Sequence, residues 1–168
     1  INSDGSIVAH CAEDYVQVYQ YIGGSQDQGT GWTQIGQDIE YQTDGIGWEA
    51  LSLNSAGNIV AIGSNGRVEV FEYVSDSWIQ IGADIVNDDG RSVSLNEEGN
   101  ILAIGDFNYE NSGRARIFLN INETWTQIGT DIQGQGNESF GWSVSLSDDG
   151  SNVALNISPL VKEDIKLL

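Results

Sequence analysis

Short segments in which apolar and small polar residues alternate recur at regular intervals along the chain. Their period of two is typical of strands with one buried face. Each segment leads through a turn that ends in glycine into an unbroken apolar stretch, which predicts a strand covered on both faces. The alternating segments are Leu51-Ser52-Leu53, Val93-Ser94-Leu95 and Val144-Ser145-Leu146, and the apolar stretches include Ile59-Val60-Ala61-Ile62 and Ile101-Leu102-Ala103-Ile104.

A second alternating segment and then a nearly invariant phrase of the form Trp-x-Gln-Ile-Gly-x-Asp-Ile complete each repeat. The phrase begins at Trp32, Trp78 and Trp125, which are 46 and 47 residues apart. Repeats of this length with four strands each and a periodic aromatic residue are typical of propeller blades. The sequence therefore predicts an all-β fold, a partial β-propeller of about 3.5 four-stranded antiparallel blades.

The repeat also sets the expected boundaries. The blades span approximately residues 1–39, 40–85, 86–132 and 133–156, with the last one incomplete. The first repeat begins inside its opening turn, so we expect three, four, four and two strands. Residues 157–168 lie outside the repeat, and Pro159 with the apolar spacing after it favours a short helical tail. We expect a fragment of a larger chain, or open edges covered by further blades or by other copies of the chain.

One run of residues in the fourth repeat resembles a known family. Phe140-Gly141-x-Ser143-Val144-Ser145, followed by Asp149-Gly150, resembles FG-GAP repeats, the blades of integrin-α-type propellers. The chain is even more similar to tandem repeats with "WTQIG-DI" and "SVSLS-DG-VAIG" phrases in large proteins of marine microbes and algae. The resemblance implies a propeller, and adhesion or ligand binding at the cell surface or outside the cell. Integrin-type calcium loops need spaced acids, whereas the turn at Asn96-Glu97-Glu98-Gly99 is too short and predicts a plain hairpin.

The net charge of the chain restricts the classes of molecule that it can bind. The net charge is −19, because 25 acidic residues face only six Lys and Arg. Nucleic acid is excluded as a partner, since phosphate contacts need clustered basic side chains. No apolar run is long enough to cross a bilayer, so direct membrane insertion is not expected. We expect a protein or carbohydrate ligand.

Tryptophan occurs at regular and at irregular places, and the two sets have different predicted roles. Trp32, Trp78 and Trp125 recur at one position of every repeat, which favours packing between blades. Another position, at the start of the last three blades, holds tryptophan in two copies and arginine in the middle one, and these side chains are the candidates for a ligand surface. These are Trp48, Arg91 and Trp142.

The remaining candidate sites are few. Alternate oxygens at Asp106, Asn108 and Glu110 form the only candidate calcium site, and no other cofactor is expected. Sequons at Asn122 and Asn137 would permit N-glycosylation in a secretory route. His10 is predicted to be a hydrogen-bonded, partly buried side chain, and Cys11 a buried thiol on the opposite face of the same strand.

Two functions of different classes fit the sequence. The first is a non-catalytic binding or adhesion module of an extracellular or cell-surface propeller, because no nucleophile elbow, phosphate-binding loop or dinucleotide fingerprint is present. The alternative is a carbohydrate-active propeller enzyme that uses loop carboxylates such as Asp44 or Asp88. Glycosidases need two carboxylates within about 10 Å of each other.

Overall fold

The computed structural model describes residues 1–12, 15–23, 31–41, 49–64, 66–86, 90–135 and 139–157. Within these ranges the chain forms fifteen β-strands in four antiparallel sheets and one short 3-10 turn at Tyr109–Asn111. The predicted all-β partial propeller is confirmed. The predicted helical tail lies outside the described residues.

Each sheet is formed by consecutive strands. The first contains β1 (Ile7–Cys11), β2 (Tyr15–Tyr21), β3 (Trp32–Gln34) and β4 (Ile39–Glu40), and the second contains β5 (Ala50–Leu53), β6 (Ile59–Ser64), β7 (Arg67–Val74), β8 (Ser77–Gln80) and β9 (Ile85–Val86). The third contains β10 (Ser92–Leu95), β11 (Ile101–Asp106), β12 (Arg114–Ile121) and β13 (Thr124–Gln133). The fourth contains β14 (Phe140–Leu146) and β15 (Val153–Ile157).

The outermost strand of each of the first three blades contains the repeated phrase. In the first two blades the phrase is divided into two short strands, β3 with β4 and β8 with β9, and both members pair with the same neighbour. In the third blade β13 is continuous, with a register shift opposite Ala115–Ile117. When each divided strand is counted once, the blades have three, four, four and two strands, as the repeat predicts.

A glycine and a polar side chain close the turn between the two inner strands of each blade. Gly57 and Gly99 have φ of +75°, a conformation that favours glycine. The Asn54 side-chain oxygen accepts the Ile59 N–H at 2.9 Å, and Asn96 does the same for Ile101 at 2.9 Å. These contacts confirm plain hairpin turns held by local hydrogen bonds.

A tryptophan joins the second blade to the first, and another joins the third blade to the second. The Trp78 indole N–H donates to the Ile35 carbonyl at 2.9 Å, and the Trp125 indole N–H donates to Ile81 at 3.0 Å. The glycine after each acceptor provides the space, because a Cβ at Gly36 would lie 2.7 Å from Trp78 Cδ1. The predicted packing role of these tryptophans is thus visible at both junctions.

Hydrogen bonds along the inner strands and turns link the second blade to the third and the third blade to the fourth. The Ser52 hydroxyl accepts the Leu95 N–H at 3.0 Å, and the Ser94 hydroxyl accepts the Leu146 N–H at 3.0 Å. At the turns, the Glu97 N–H donates to the Asp148 carbonyl at 2.9 Å. The small serines of the inner strands therefore have a specific use, since their hydroxyls link β5 to β10 and β10 to β14.

The hydrophobic core lies between the sheets. One cluster fills the space between the first and second blades and includes Val18, Val60, Ile62 and Trp78. A second cluster fills the space between the second and third blades, around Val70, Leu102 and Ile104. A smaller third cluster around Ala103 and Val144 lies between the third and fourth blades. Blade faces are therefore buried against each other rather than within one sheet.

Two predictions about the first blade need correction. His10 was expected to be partly buried, yet it is exposed, whereas Ile62 and Ile104 at the matching positions are fully buried. Those isoleucines are covered by the preceding blade, which His10 lacks among the described residues. Cys11 is half-buried rather than buried, and its Sγ lies 3.4 Å from the Tyr41 hydroxyl. Burial raises the pKa of the Cys11 thiol.

None of the described segments forms a helix that is both long enough and apolar enough to cross a membrane.

The junction geometry leads to a stability prediction. Trp78→Phe keeps most of the buried area but removes the N–H that satisfies the Ile35 carbonyl, so we expect a loss of about 2 kcal/mol of unfolding free energy. Trp32→Phe, in a half-buried residue that stacks on Tyr21, is the matched control and should cost less than about 1 kcal/mol. Urea unfolding followed by circular dichroism measures both. Equal losses would contradict the docking role of the Trp78 indole.

Candidate functional site

A cleft of about 440 Å³ opens where the third blade meets the fourth. It is lined by Arg91, Phe107, Asn108 and Trp142. The Phe107 and Trp142 rings are 4.5 Å apart between centroids and tilted by 47°. The Arg91 guanidinium carbon lies 5.0 Å from the Phe107 ring centroid, within the range of a cation–π contact. The structure thus brings two of the predicted ligand residues, Arg91 and Trp142, into one site.

A bulge near the start of β14 places Trp142. The β14–β15 register shifts between Phe140 and Ser143, so Gly141 and Trp142 lie outside the regular ladder. Gly141 has φ of +80° and packs so closely on the Arg114 backbone that a Cβ would not fit. Bulges of this kind redirect side chains. Trp142 is left 39% exposed beside the cleft.

An arginine holds the loop that provides the other side of the cleft. Arg114, at the start of β12, lies with its guanidinium carbon 3.8 Å from the Tyr109 ring centroid. Its Nε is 3.6 Å from Asp106 Oδ2, and its Nη1 is 3.1 Å from Asp131 Oδ2. Both Asp106 and Arg114 are buried. Phe107 and Asn108 follow Asp106 directly, so this ion-pair network fixes the segment that lines the cleft.

The negative charge of Asp131, one member of this ion-pair network, is stabilised by groups next to it. A hydrogen bond from the Gln127 side chain, at 2.8 Å, and the contact with Arg114 hold the pKa of Asp131 below its usual range. The same Gln–Asp bond recurs in the other blades, from Gln34 to Asp38 and from Gln80 to Asp84, both at 2.7 Å. The Gln–Asp hydrogen bond is therefore a general feature of the blade. The contact of Arg114 with Asp106 connects the Asp131 carboxylate to the loop that lines the cleft.

The candidate calcium residues face different environments. The Asp106 carboxylate contacts Arg114 and accepts the Asn108 backbone N–H at 3.2 Å. Asn108 lines the cleft, whereas Glu110 is exposed in the 3-10 turn with φ of +46°. Since Asp106 is already neutralised by a cation, the structure favours an ion pair over a calcium ligand at this position. The parts of the chain that the structure describes contain no group of three His, Cys, Asp or Glu residues suited to a metal ion.

The other predicted sites are only partly described. Asn122 lies in the exposed tight turn between β12 and β13, with φ of +49°, so it is accessible for glycosylation. Trp48, Asn137, Asp44 and Asp88 lie outside the described residues. Phe107 was missed by the sequence analysis, because its loop has no counterpart phrase in the other repeats. The sequence feature that could have identified Phe107 is its place as an aromatic residue directly after a predicted buried strand.

The ion pair and the calcium hypothesis can be separated by experiment. Asp106→Asn leaves the buried Arg114 without one of its anionic partners, so we expect a loss of about 3 kcal/mol of unfolding free energy. Glu110→Gln, in an exposed side chain, should change it by less than about 0.5 kcal/mol. Calorimetry with millimolar calcium should show no rise in Tm. A calcium-dependent rise in the wild type that both variants abolish would contradict the ion-pair account.

Comparison with solved structures shows propeller-like neighbours. Two are described as "putative 6-phosphogluconolactonase", one from Bacteroides fragilis (16% identity, TM-score 0.61) and one from Bacteroides uniformis (15% identity, TM-score 0.61). The match covers 92% of this chain in both cases, but only 40% and 45% of theirs. Hydrazine synthase of Kuenenia stuttgartiensis matches 98% of this chain and 44% of its own (14% identity, TM-score 0.60). No protein-family model and no curated protein matches the chain.

These neighbours correct the functional expectation. The leading expectation, a non-catalytic binding or adhesion module, is wrong. The two Bacteroides neighbours are described as enzymes that act on a sugar derivative. At such low identity the likeness shows the fold alone. The alternative, a carbohydrate-active propeller, is the better supported of the two. The resemblance to FG-GAP repeats stays a prediction.

Proposed function

We propose that the chain is part of a carbohydrate-active β-propeller and that the cleft between its third and fourth blades binds the sugar. The observation that carries the proposal is the aromatic pair Phe107 and Trp142 beside the Arg91 guanidinium in one cleft. Aromatic side chains combine a large apolar face with a fixed geometry, which suits the C–H face of a sugar ring. The chain spans less than half of its structural neighbours, so the activity belongs to the propeller to which it contributes.

Polar groups around the aromatic pair suit the rest of a sugar. The Asn108 side-chain amide can both donate to and accept from hydroxyl groups. The Arg91 guanidinium can hold a carboxylate or a phosphate with two parallel hydrogen bonds. The substrate class that fits best is therefore an acidic or phosphorylated sugar, and the names of the Bacteroides neighbours point to the same class.

The chemical step would need an acid or base near the bound sugar. Asp88 precedes Arg91 by three positions, and Asp44 precedes Trp48 by four in the loop that leads into the second blade. Both stay predicted catalytic groups. A carboxylate close to the sugar could act as a general base towards water.

Binding is tested first at the aromatic pair. Titration calorimetry with gluconate and 6-phosphogluconate should show heat that Trp142→Leu reduces through an affinity loss of at least tenfold, or about 1.4 kcal/mol. Tyr21→Leu is the matched control, since Tyr21 is half-exposed and stacks on Trp32 in a similar tilted pair. It should bind as the wild type does. No heat with either probe, or equal effects of both variants, would rule out the cleft as a sugar site.

The role of Arg91 requires a second comparison. Arg91→Gln should weaken binding of 6-phosphogluconate at least tenfold and leave binding of neutral glucose within about twofold, because only the anion loses a charge-assisted contact. A uniform loss for both probes would show that Arg91 only supports the Phe107 ring. Hydrolysis of 6-phosphogluconolactone above the spontaneous rate, reduced by Asp88→Asn, tests the catalytic part.

A further inference from the structure

The third blade presents a docking surface. The equivalent surfaces on the first and second blades are each filled by a tryptophan. The surface, here called the docking notch, is the Ile–Gly pair of the repeated phrase. Trp78 fills the notch at Ile35–Gly36, and Trp125 fills the notch at Ile81–Gly82, each with an indole N–H bond of 2.9 to 3.0 Å. The third notch is Ile128–Gly129. Two of the three notches therefore show that the side chain bound at this surface is tryptophan.

The third notch is open as far as the described residues are concerned. No heavy atom of the described residues lies within 4 Å of a Cβ built at Gly129, which has φ of +73° like the two filled glycines. Ile128 is 41% exposed. Ile132 is 38% exposed, whereas Ile85 at the matching position of the second blade is 7% exposed. Burial of these isoleucines thus depends on outer strands from the next blade.

A groove and a strand edge lie next to the notch. The groove has a volume of about 250 Å³, and Ile117, Leu146 and Val153 provide its apolar lining beside Ile128 and Gly129. β15 pairs only with β14 in the described part of the chain, so one edge of β15 offers backbone hydrogen-bonding groups. Strand edges of this kind accept an added strand. A two-stranded hairpin would cover the edge and the groove together.

We propose that this surface binds a β-hairpin with a tryptophan in the Trp-x-Gln-Ile-Gly register of its outer strand. The inner strand of the hairpin pairs with β15, and the indole packs on Gly129 and donates its N–H to the Ile128 carbonyl. The two filled notches provide the template for every one of these contacts. The proposal is independent of the sugar cleft, because it uses the established interface between blades.

The test uses a synthetic hairpin with the sequence of residues 113–133, which contains β12, β13 and Trp125. We expect it to bind the full chain in titration calorimetry and to raise Tm. A peptide with Trp125→Ala should bind at least tenfold more weakly. Gly129→Asn places a side chain in the notch at a φ that asparagine tolerates, and it should also reduce binding at least tenfold.

The matched control is Gly66→Asn. Gly66 also has positive φ, +84°, and no described heavy atom lies within 4 Å of its Cβ position. This variant should bind the hairpin as the wild type does. Equal binding of the tryptophan-free peptide, unchanged binding by Gly129→Asn, or no binding of the hairpin to the wild type would each overturn the proposal.

Discussion

The structure depends on one constraint, namely that a blade of this repeat cannot bury its own apolar residues. Its inner strands are apolar on both faces, so each face must be covered by a neighbouring blade. The buried clusters lie between sheets, and residues such as Ile62 and Ile104 lose all exposure only because a blade precedes them. Stability in such an array is close to a sum of blade and junction contributions. The junction is therefore the unit that explains the repeat.

Nearly every residue of the eight-residue phrase contributes a contact that forms or supports the junction between blades. Its tryptophan donates to the preceding blade, its Ile–Gly pair receives the next tryptophan, and its glutamine and aspartate join across the turn between them. The final isoleucine is buried where the outer strands of the next blade cover it, as at Ile39 and Ile85, and exposed at Ile132, where no outer strands of the fourth blade are described. The regularity of the phrase thus follows from packing.

The cleft arises where the repeat is irregular. Strand register places Arg91 at the position of Glu49 in the second blade and of Trp142 in the fourth. Phe107 belongs to a loop without a counterpart, and the Gly141 bulge turns Trp142 towards it and Arg91. These side chains lie outside the repeated Trp-x-Gln-Ile-Gly-x-Asp-Ile phrase, so they can differ between blades without changing its contacts. Function on a repeat scaffold is expected at such positions, because the invariant ones are constrained by packing.

Most of the fold could be predicted because the repeat makes each strand visible several times. The glycine turns, the strand count and the structural role of the tryptophans follow from comparing copies. Features that depend on one copy could not be predicted. The exposure of His10 depends on the lack of a preceding blade among the described residues, the Asp106–Arg114 pair joins residues across a loop, and Phe107 has no pattern to compare. The leading functional interpretation failed for a related reason, since a scaffold shared by many proteins constrains activity weakly.

Hydrogen exchange of the wild type and of Trp78→Ala tests the central claim, that the junction rather than the single blade is the stabilising unit. The account predicts that removing this indole accelerates exchange of amides in β2 and β3 of the first blade together with those in β7 and β8 of the second. Faster exchange confined to β8, with the first blade protected as before, would contradict it.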